Sequence, residues 1–595
     1  MTVQQQLESG VSRHRAGRFA EAEKIYRQVL AQQPNHVDAL HLLGVLDLEA
    51  GHLDTAVELI QRAIRLKPDF AEAHFNLGNA LNDMGQLDAA VISFRQAIQL
   101  KPGLAKAHFN LGNALKDVGQ LDEAISSYRQ AIRLKPDFAT AHNNLGNALK
   151  DMGQLDEAVA CFRQAIGLKP DFAVAHSNLI YDLHFHPAYD AKMIYEEHQH
   201  WSRQFAEPLA KFIQPHANNR DPERPLRIGY VSPDFREHPV GRFLVSLLAA
   251  HDPHQFEIFC YSDVRRPDCF TELLRQHARQ WRNTVGWSDD RLAQLIRQDQ
   301  IDILADLTMH MAHNRLLSFA RKPAPVQVTY LAYCSTTGLE TMDYRLTDPH
   351  LDPPGMNDSF YSEKSIRLPE TYWCYPLHEQ TPPVGPPPAL SAAGVTFGCL
   401  NNFCKVSPQT LELWIELLKA TAKSKLVIQA SQGSQRQRVW DLLQKQGVDP
   451  GRLTFVGRVP LPQYLKRYEQ IDIGLDPFPC NGGMTTCDAL WMGVPVVTLA
   501  GRTAVGRGGA SILTNLGLPE LIARTPQQYV QIAAELAGDL PRLAELRRTL
   551  RGRMESSPLM DAPRFAGNVE AAYRQMWRNW CEQGDGLAEV ETWRR

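Results

Sequence analysis

One segment combines a strand end, a glycine-containing turn and a helix start. It covers residues 476–501, DPFPCNGGMTTCDALWMGVPVVTLAG. The strand pattern ends at Asp476, the turn follows at 481–483, and the helix is predicted to begin near Met484. The N–H groups of a first helical turn have no partner within the helix, and the helix dipole adds positive potential there. The segment therefore predicts an anion-binding turn of the kind that holds phosphate.

Side chains of the same first turn could extend that site. The hydroxyls of Thr485 and Thr486 can donate hydrogen bonds to an anion, and the Asp488 carboxylate can accept them from sugar or ribose hydroxyls. The structural alternative is that Thr485 and Asp488 are only capping and first-turn residues of an ordinary helix.

A second segment places a lysine just after a strand. It covers residues 395–408, VTFGCLNNFCKVSP, in which Lys405 follows the strand end. A fixed ammonium directed at a diphosphate can take the place of a metal ion when negative charge develops on it. A lone lysine after a strand is more often a solvated surface residue. The predicted role of Lys405 therefore requires that its side chain lie close to the anion-binding turn at 481–483.

Histidines and a tyrosine follow strands earlier in the chain. His238 lies in the strand-to-helix turn of YVSPDFREHPVGRFL, residues 230–244, where it could position a hydroxyl, a sugar or a proton. His310 and Tyr333 lie at two further strand ends. They are predicted to line the side of a ligand-binding cleft that would hold the acceptor substrate. A histidine beside a proline can equally be a loop-packing residue, and this alternative stays open for His238.

Other phosphate and hydrolase chemistries lack their motifs. The sequence holds no GxxxxGK[ST], HExxH or GxSxG pattern and no closely spaced set of histidines and cysteines for a metal. The glycine-rich GRGGAS at 506–511 is too short for a dinucleotide fingerprint, and it either adds backbone donors near the phosphate turn or forms a simple loop. We therefore expect neither a metal nor a cofactor.

The elements around these segments predict two α/β domains. Short apolar runs alternate with helical segments, which is typical of βα units and a mostly parallel sheet. The predicted strands are 226–232, 256–262, 301–307, 326–333 and 343–348 in the first domain, and 395–402, 425–430, 453–459, 471–476 and 494–501 in the second. Ligands of such folds bind at the carboxyl ends of the strands, so the candidate residues should meet in a cleft between the two sheets.

The first third of the chain is a repeat array. Prolines recur every 34 residues, and so do glycines, at positions Pro34, Pro68, Pro102, Pro136 and Pro170 and Gly17, Gly51, Gly85, Gly119 and Gly153. In the unit 68–101, small and apolar residues at helical spacing predict one helix that ends at Gly85 and a second helix after it. Such pairs bury their apolar faces only by stacking, so we expect a superhelix with a concave face.

One polar position of the repeat could bind peptide. Four successive units have asparagine there, namely Asn76, Asn110, Asn144 and Asn178. An amide offers donors and an acceptor, so a ladder of amides can hold a peptide backbone without reading its side chains. The alternative is a solvated polar position that repeat duplication has copied.

Composition narrows the class of protein. The net charge of −3 over 595 residues gives no general attraction to nucleic acid or to an anionic membrane. The sequence shows no apolar stretch of the ~18 residues that cross a bilayer and no apolar signal region at its start. Ten cysteines without a CxxC pair are typical of buried thiols in a reducing compartment. We therefore expect a cytoplasmic protein that binds neither nucleic acid nor membrane.

Together these features resemble the O-GlcNAc transferase/SPINDLY family, glycosyltransferase family 41. The repeats resemble tetratricopeptide repeats, and the other carrying segments are YVSPDFREHPVGRFL, RKPAPVQVTYLAYCSTTGLETMDYRLTD, FCKVSP and PCNGGMTTCDALWMGVP. The resemblance implies an α-helical superhelix followed by two Rossmann-like domains in the GT-B arrangement. It also implies an inverting, metal-independent transfer of sugar from a nucleotide donor to serine or threonine of a protein.

The resemblance also assigns roles to residues of this chain. The catalytic roles fall on His238 and Lys405, and the donor contacts fall on Asn402, Lys405, Thr485, Thr486 and Asp488. Gly483 and Met484 depart from the family pattern, because animal O-GlcNAc transferases have a donor-contacting His-Thr pair at these two positions. The wording of this segment is closer to the SPINDLY branch, some of whose plant members use GDP-fucose.

The expected donor is UDP-GlcNAc, with GDP-fucose as one alternative and a repeat scaffold with a degenerate catalytic region as another. The expected organisation is a repeat array at 1–185, a helical connector at 186–224, a first catalytic lobe at 225–377, a proline-rich linker at 378–394, a nucleotide-sugar-binding lobe at 395–562 and a C-terminal helix at 563–595 that packs back on the lobes. The expected partners are protein substrates along the concave face and the nucleotide sugar, and a homo-oligomer is left open. The sequence singles out no general base.

Overall fold

The computed structural model describes residues 2–376 and 381–582. The chain divides into two compact units. One contains Met1–Pro170 with the short segment Ser431–Ser434, and the other contains Asp171–Ala430 with Gln435–Arg595. Each unit buries apolar side chains of its own.

The described part of the first unit is an array of helix pairs. Its helices are α1 (Val3–Arg15), α2 (Phe19–Gln32), α3 (Val37–Glu49), α4 (Leu53–Leu66), α5 (Ala71–Asp83), α6 (Leu87–Leu100), α7 (Ala105–Asp117), α8 (Leu121–Leu134), α9 (Ala139–Asp151) and α10 (Leu155–Leu168). Within each pair the chain turns through a glycine in the left-handed conformation, with φ of 82° at Gly51 and 75° at Gly85. The predicted helical repeat array is confirmed.

Glycine also sets the distance between the two helices of a pair. A Cβ at Gly78 would lie 2.6 Å from the ring of Phe94, and a Cβ at Gly112 would lie 2.6 Å from the ring of Tyr128. The aromatic ring of the second helix therefore packs directly on the backbone of the first. The 34-residue period repeats this contact at Gly10, Gly78, Gly112 and Gly146, whereas at Gly44 the side chain of Ile60 takes the place of the ring.

The second unit begins with a helical region and a parallel sheet, the first lobe. Its helices are α11 (Ala173–Leu183), α12 (Ala191–Trp201), α13 (Pro239–Ala250), α14 (Cys269–Gln276), α15 (Asp289–Gln298) and α16 (Leu316–Phe319). Its strands are β1 (Leu226–Ser232), β2 (Phe256–Ser262), β3 (Gln280–Asn283), β4 (Ile303–Asp306), β5 (Val326–Thr329), β6 (Tyr344–Thr347) and β7 (Lys364–Arg367). They lie in the order β3-β2-β1-β4-β5-β6-β7, and all neighbours are parallel. The order 3-2-1-4-5-6 is that of a Rossmann domain.

A second parallel sheet follows and forms the second lobe. Its strands are β8 (Thr396–Cys399), β9 (Lys425–Gln429), β10 (Leu453–Val456), β11 (Ile473–Leu475), β12 (Val496–Leu499) and β13 (Ile522–Ala523). The helices around and after it are α17 (Pro408–Ala420), α18 (Ser434–Lys445), α19 (Leu461–Lys466), α20 (Met484–Trp491), α21 (Gly508–Asn515), α22 (Pro526–Gly538), α23 (Leu540–Glu555) and α24 (Ala562–Glu582). The order β10-β9-β8-β11-β12-β13 repeats the Rossmann pattern. The predicted fold class, a helical repeat array followed by two Rossmann-like domains, is confirmed.

The predicted strands are all present, most of them one to four residues shorter at their ends. Strands β3, β7 and β13 were not predicted. The sequence of β3, QWRN, is polar and largely exposed, and β13 has only two residues, so neither carries an apolar run. Edge strands of this kind lack the pattern by which buried strands are recognised.

The proline-rich stretch is pinned to the second lobe where the structure describes it. The guanidinium of Arg547 donates to the carbonyl of Gly385, and that of Arg551 donates to the carbonyl of Pro382. The amide of Ala389 donates to the Asp472 carboxylate at 3.0 Å. The beginning of the predicted linker, up to residue 380, lies outside the described residues.

The last described helix returns to the first lobe. Tyr573 of α24 has its hydroxyl 3.2 Å from that of Tyr230, and Glu570 accepts from the His251 ring at 2.9 Å. Trp577 donates to the carbonyl of Asp221 at 3.1 Å. Helix α24 thus spans to the first lobe from the end of the second, and the predicted tail beyond Glu582 lies outside the described residues. No helix among the described residues is both long and apolar enough to cross a membrane.

Candidate active site

The candidate residues of the second lobe meet at the switch point of its sheet. Strands β8 and β11 are neighbours there, and the strand order reverses between them. The Lys405 ammonium donates to the carbonyl of Asn481 at 2.6 Å, and the Thr485 hydroxyl donates to the Asn401 side chain at 2.7 Å. The lysine segment and the turn at 481–483 therefore form one site at the carboxyl edge of the sheet, where ligands of doubly wound folds bind.

A buried carboxylate holds the turn in place. Asp476, 1% exposed, accepts from the Gly482 amide at 2.7 Å and from the hydroxyls of Thr498 and Thr486 at 2.8 and 3.4 Å. Burial raises the pKa of Asp476 to about 6. A Cβ at Gly482 would lie 2.6 Å from the Thr485 hydroxyl, so only glycine fits in the turn. The buried carboxylate of Asp476 thus holds the turn before α20 in place without itself contacting a ligand.

Helix α20 opens without a side-chain cap. Its N-cap residue is Gly483, and the amides of Thr486 and Cys487 donate to the Gly483 carbonyl at 3.1 and 3.0 Å. Because glycine supplies no side-chain acceptor, the earlier amides of the turn are left for a ligand or solvent. Thr485 is half-buried, whereas Thr486 is buried and turned toward Asp476. Of the two predicted threonines, Thr485 is therefore the better placed to touch an anion.

The other predicted donor contacts have different surroundings. Asn402 is exposed and accepts from the Arg458 guanidinium at 2.6 Å. Gly483 lies beside the Trp373 ring, which is 3.5 Å from the place of a Cβ. Met484 is 5% exposed and belongs to the apolar core. Their donor roles stay predictions, and the burial of Met484 favours a packing role for that side chain.

The predicted ribose ligand is already engaged inside the protein. Asp488 is 1% exposed, and its Oδ1 accepts from Arg242 Nη2 at 2.7 Å and from the Tyr375 hydroxyl at 2.7 Å. Its Oδ2 accepts from Arg242 Nη1 at 3.2 Å. Arg242 belongs to α13 of the first lobe, so this ion pair crosses between the lobes.

His238 stands at the start of a helix in the first lobe. It is the N-cap of α13, and its Nδ1 accepts from the Val240 amide at 3.3 Å. The Asp234 carboxylate lies 3.6 Å from the same nitrogen. Burial lowers the pKa of His238, with Asp234 opposing and Arg236 adding to the shift. A neutral ring whose Nδ1 accepts carries its proton on Nε2, which makes Nε2 a hydrogen-bond donor.

The two predicted acceptor residues of the first lobe lie against α11 and the residue that follows it. His310 is fully buried, with Nε2 2.9 Å from the Thr337 carbonyl and Nδ1 3.1 Å from the Ser177 hydroxyl. Tyr333 is half-buried, and its ring packs against that of His184 with centroids 4.9 Å apart. Their acceptor roles stay predictions, and the burial of His310 favours a packing role in this conformation.

The asparagine ladder is present in the first unit. The amide nitrogen of Asn110 donates to Asn79 at 2.7 Å, and that of Asn144 donates to Asn113 at 2.8 Å. At Asn76 the partner is His41, at 2.8 Å. Each asparagine therefore joins its repeat to the one before. All three are half-buried, as is Asn178, which lies on α11 in the second unit.

Sequence reasoning missed three residues of this arrangement. Arg242 lies four residues after His238, and one helical turn on the same face was the signal that could have found it. Asp476 was noted only as a strand end, although its buried carboxylate organises the turn. Tyr375 belongs to no motif, and only the tertiary structure brings it to Asp488. The described residues contain no group of three or more His, Cys, Asp or Glu side chains that could hold a metal ion.

Comparison with protein families decides the class. The family model "Glycosyl transferase family 41" matches residues 175–380 and 389–569, more than half of the chain. The chain belongs to glycosyl transferase family 41. Models of tetratricopeptide repeats match residues 14–81, 78–119, 112–153 and 139–172, which covers the helix pairs of the first unit.

Similar proteins are known in this family. A solved structure of a Thermobaculum terrenum O-GlcNAc transferase mutant superposes with a TM-score of 0.80 and 37% sequence identity, covering 86% of this chain and 98% of that chain. The probable UDP-N-acetylglucosamine–peptide N-acetylglucosaminyltransferase SPINDLY of Solanum lycopersicum is 39% identical over 397 residues, which are 65% of this chain and 42% of that protein. The SPINDLY protein of Arabidopsis thaliana, of the same description, is 38% identical over 410 residues, 68% of this chain and 44% of that protein. The chain thus spans less than half the length of these curated relatives.

Proposed function

We propose that this family 41 member transfers GlcNAc from UDP-GlcNAc to serine or threonine hydroxyls of proteins held by its repeat array. The observation that carries the proposal is the 2.6 Å contact between the Lys405 ammonium and the Asn481 carbonyl, at the turn that opens α20. It directs a positive charge and an uncapped helix start at one point of the sheet edge. A diphosphate is the ligand that such an arrangement suits best.

The proposed reaction is the direct displacement at the anomeric carbon that the family resemblance implies. The acceptor oxygen attacks the anomeric carbon from the face opposite the diphosphate, and the bond from that carbon to the β-phosphate oxygen breaks. The configuration inverts, UDP leaves with the bonding electrons, and the hydroxyl proton passes to solvent or to a phosphate oxygen. Lys405 and the first amides of α20 stabilise the charge that grows on the leaving UDP, so the step needs no metal.

The first lobe supplies the other side of the proposed site. His238 offers an Nε2–H donor when its ring is neutral, and burial favours the neutral ring. We assign this donor to the bound sugar nucleotide or the acceptor hydroxyl and not to proton removal, because a nitrogen that carries a proton cannot accept one.

Acceptor proteins are proposed to lie along the asparagine ladder. The inter-repeat hydrogen bonds at Asn110 and Asn144 use one N–H of each amide and orient its carbonyl. An oriented amide can bind a peptide backbone of any sequence, which suits an enzyme with many substrates. The proposed setting is the cytoplasm.

A panel of sugar nucleotides tests the donor. The purified chain is incubated separately with UDP-GlcNAc, GDP-fucose and other sugar nucleotides in the presence of a dialysed cell extract, and acceptor proteins are examined by mass spectrometry. Added N-acetylhexosamine supports the proposal. Added deoxyhexose from GDP-fucose alone replaces the donor with that of the SPINDLY alternative, and no addition from any donor leaves a repeat scaffold.

Substitution of Lys405 tests the leaving-group assignment. Lys405→Ala should lower kcat by ~30- to 1,000-fold, because losing a preorganised charge contact costs ~2–4 kcal/mol of transition-state stabilisation. Lys445→Ala, an exposed lysine of α18 in the same lobe, is the matched control and should keep the wild-type rate. Equal rates for Lys405→Ala and Lys445→Ala would remove Lys405 from the mechanism.

A further inference from the structure

A buried carboxylate that the proposed reaction does not use lies against the loop after β5, residues 333–338. Glu363, just before β7, is 4% exposed. Its Oε1 accepts from the amide of Thr337 at 2.6 Å and from the hydroxyl of the same residue. Its Oε2 accepts from the Thr336 hydroxyl at 2.7 Å. A buried charge is tolerated when hydrogen bonds of this kind satisfy it, so the ionised carboxylate and the conformation of the loop depend on each other.

The direction of these hydrogen bonds requires an ionised carboxylate. The Thr336 oxygen accepts from the amides of Gly338 and Ser362 at 3.2 and 3.0 Å. Its one hydrogen must therefore be donated, and Glu363 accepts it. Burial raises the pKa of Glu363, and the hydrogen bonds from Thr337 and Thr336 oppose that shift. Glutamine cannot replace glutamate here, because its NH2 group would face a hydroxyl that can only donate.

The ends of the loop are fixed by two other elements. Arg345 of β6 is 1% exposed and donates from Nε to the Ser335 carbonyl at 2.9 Å. Gly338 has a left-handed φ of 78°, and a Cβ there would lie 2.7 Å from the His198 carbonyl oxygen of α12. Glu363 holds the two residues between these contacts, so the loop is constrained along its length.

The loop faces the cleft between the lobes. It follows β5 at the carboxyl edge of the first sheet, where ligands of such folds bind. Its residues 334–336 line a small cavity together with residues 503–505 of the second lobe. In that second segment the Val505 carbonyl accepts from the amide of Asn481 at 3.0 Å, and Asn481 is also the residue that Lys405 contacts. The loop therefore lies across the cavity from the segment that supports the proposed diphosphate turn.

We propose that Glu363 is a positioning residue that fixes the loop 333–338 for the acceptor substrate. It acts through Thr336 and Thr337 and contacts no substrate itself. A binding loop has to hold its atoms to within about 0.5 Å, which the carboxylate achieves by accepting three hydrogen bonds from two adjacent residues. The inference rests on the proposed function for its kinetic consequence, whereas its structural part concerns the loop alone.

Substitution of the carboxylate tests the kinetic consequence. Glu363→Gln should raise KM for an acceptor peptide by about 10-fold, and by more than it changes kcat, because the loop loses a hydrogen bond to a buried charge. The dissociation constant of UDP, measured by calorimetry, should change by less than about 2-fold, since the proposed diphosphate contacts lie in the second lobe. Glu340→Gln changes an exposed carboxylate just after the loop and is the matched control, which should keep the wild-type KM. An unchanged KM in Glu363→Gln, or an equal loss of UDP affinity, would overturn the proposal.

Two substitutions of Thr337 separate positioning from folding. Thr337→Ser keeps the hydroxyl that donates to Glu363 and should keep the wild-type KM. Thr337→Val has nearly the same shape without that hydroxyl and should raise KM by about 5-fold. The double variant of Glu363→Gln and Thr337→Val should lose less than the product of the single losses, because both changes remove the same contact. Losses that simply multiply would contradict a role of Glu363 that acts through Thr337.

Hydrogen exchange tests the loop without turnover. The amides of Thr337 and Gly338 donate to Glu363 and to the Thr336 oxygen, so Glu363→Gln should speed the exchange of both. Exchange in α20 should stay at the wild-type rate. If the wild type turns over no donor, the proposed function fails, while faster exchange confined to the loop still supports the positioning of the loop by Glu363. Unchanged exchange at Thr337 and Gly338 would overturn it.

Discussion

The glycine of α21 that faces the buried Asp476 should be intolerant of a single methyl group. Gly509 packs against the hydrogen-bonded pair of Asp476 and Thr498, and a Cβ at this position would lie 2.7 Å from the Thr498 Cβ and closer still to the oxygens of both side chains. The pair itself is 2.8 Å long and buried. A Gly509→Ala substitution must therefore displace the carboxylate or the threonine that holds it.

The size of the effect follows from two opposing contributions. Alanine is favoured over glycine within a helix by about 1 kcal/mol. Overpacking a buried site costs about 1–3 kcal/mol, and loss of a buried hydrogen bond costs about 1–3 kcal/mol more. The net expectation for Gly509→Ala is a loss of about 1–5 kcal/mol in the free energy of unfolding.

The matched control is the same substitution in an open helix. Gly567 of α24 is exposed and a Cβ there would meet nothing within 4 Å, so Gly567→Ala should gain about 1 kcal/mol. The two variants should therefore shift the unfolding temperature of the second unit in opposite directions. The shift is about 1 °C per kcal/mol for a unit of roughly 420 residues, because the entropy of unfolding is about 2.1 cal/mol/K per residue.

The assays are thermal unfolding followed by calorimetry, and titration with UDP. Because Asp476 also holds the amide of Gly482 and the hydroxyl of Thr486, Gly509→Ala should weaken UDP binding, whereas Gly567→Ala should not. A Gly509→Ala protein as stable as the wild type, with unchanged UDP affinity, would refute the argument that this carboxylate builds the turn.

Three further predictions concern other parts of the molecule. Burial raises the pKa of Asp306 to about 6 from 3.8, so the folded state binds a proton that the unfolded state releases. This contribution is fully present below pH 3.8 and is lost as pH rises through 6. Asp306→Asn should therefore gain about 2 kcal/mol relative to the wild type between pH 4 and pH 7 in denaturant unfolding, and a constant difference would contradict this expectation. Replacing Asn110 and Asn144 with alanine should raise KM for a long unfolded acceptor by about 5-fold per site and leave KM for a short peptide unchanged, and equal effects on both would place acceptor binding elsewhere. Gly112→Ala should cost about 1–3 kcal/mol in helix melting by circular dichroism because its Cβ would meet the ring of Tyr128 at 2.6 Å, and unchanged melting would show that the ring can move aside.

Much of the fold could be predicted because the relevant patterns are local. Glycines at a period of 34 residues mark the end of a helix wherever they occur, and each returns in the structure with a left-handed φ. Apolar runs such as 226–232 and 256–262 became strands with the same bounds. Strand β3 escaped prediction because it lies at the sheet edge and has no buried run to display.

Part of the candidate site could be predicted for the same reason. The start of α20 at Met484 follows from a strand end and a glycine turn, which are neighbours in sequence. The meeting of Lys405 with that turn follows from topology, because both segments leave central strands at the same edge of one sheet. The role of Asp476 could not be inferred, because burial and the approach of Thr498 decide it.

The sequence by itself determined the repeat array, the two α/β lobes, and the meeting of Lys405 and Thr485 at one edge of the second sheet. These depend on periodicity and on short-range turn chemistry, which a linear pattern records. Only the tertiary structure decided that Asp488 is held by Arg242, that Tyr375 shares the same oxygen, and that His310 is enclosed. Those outcomes depend on which side chains meet across 246 and 113 residues of chain and on what solvent they lose, and no local pattern encodes either quantity.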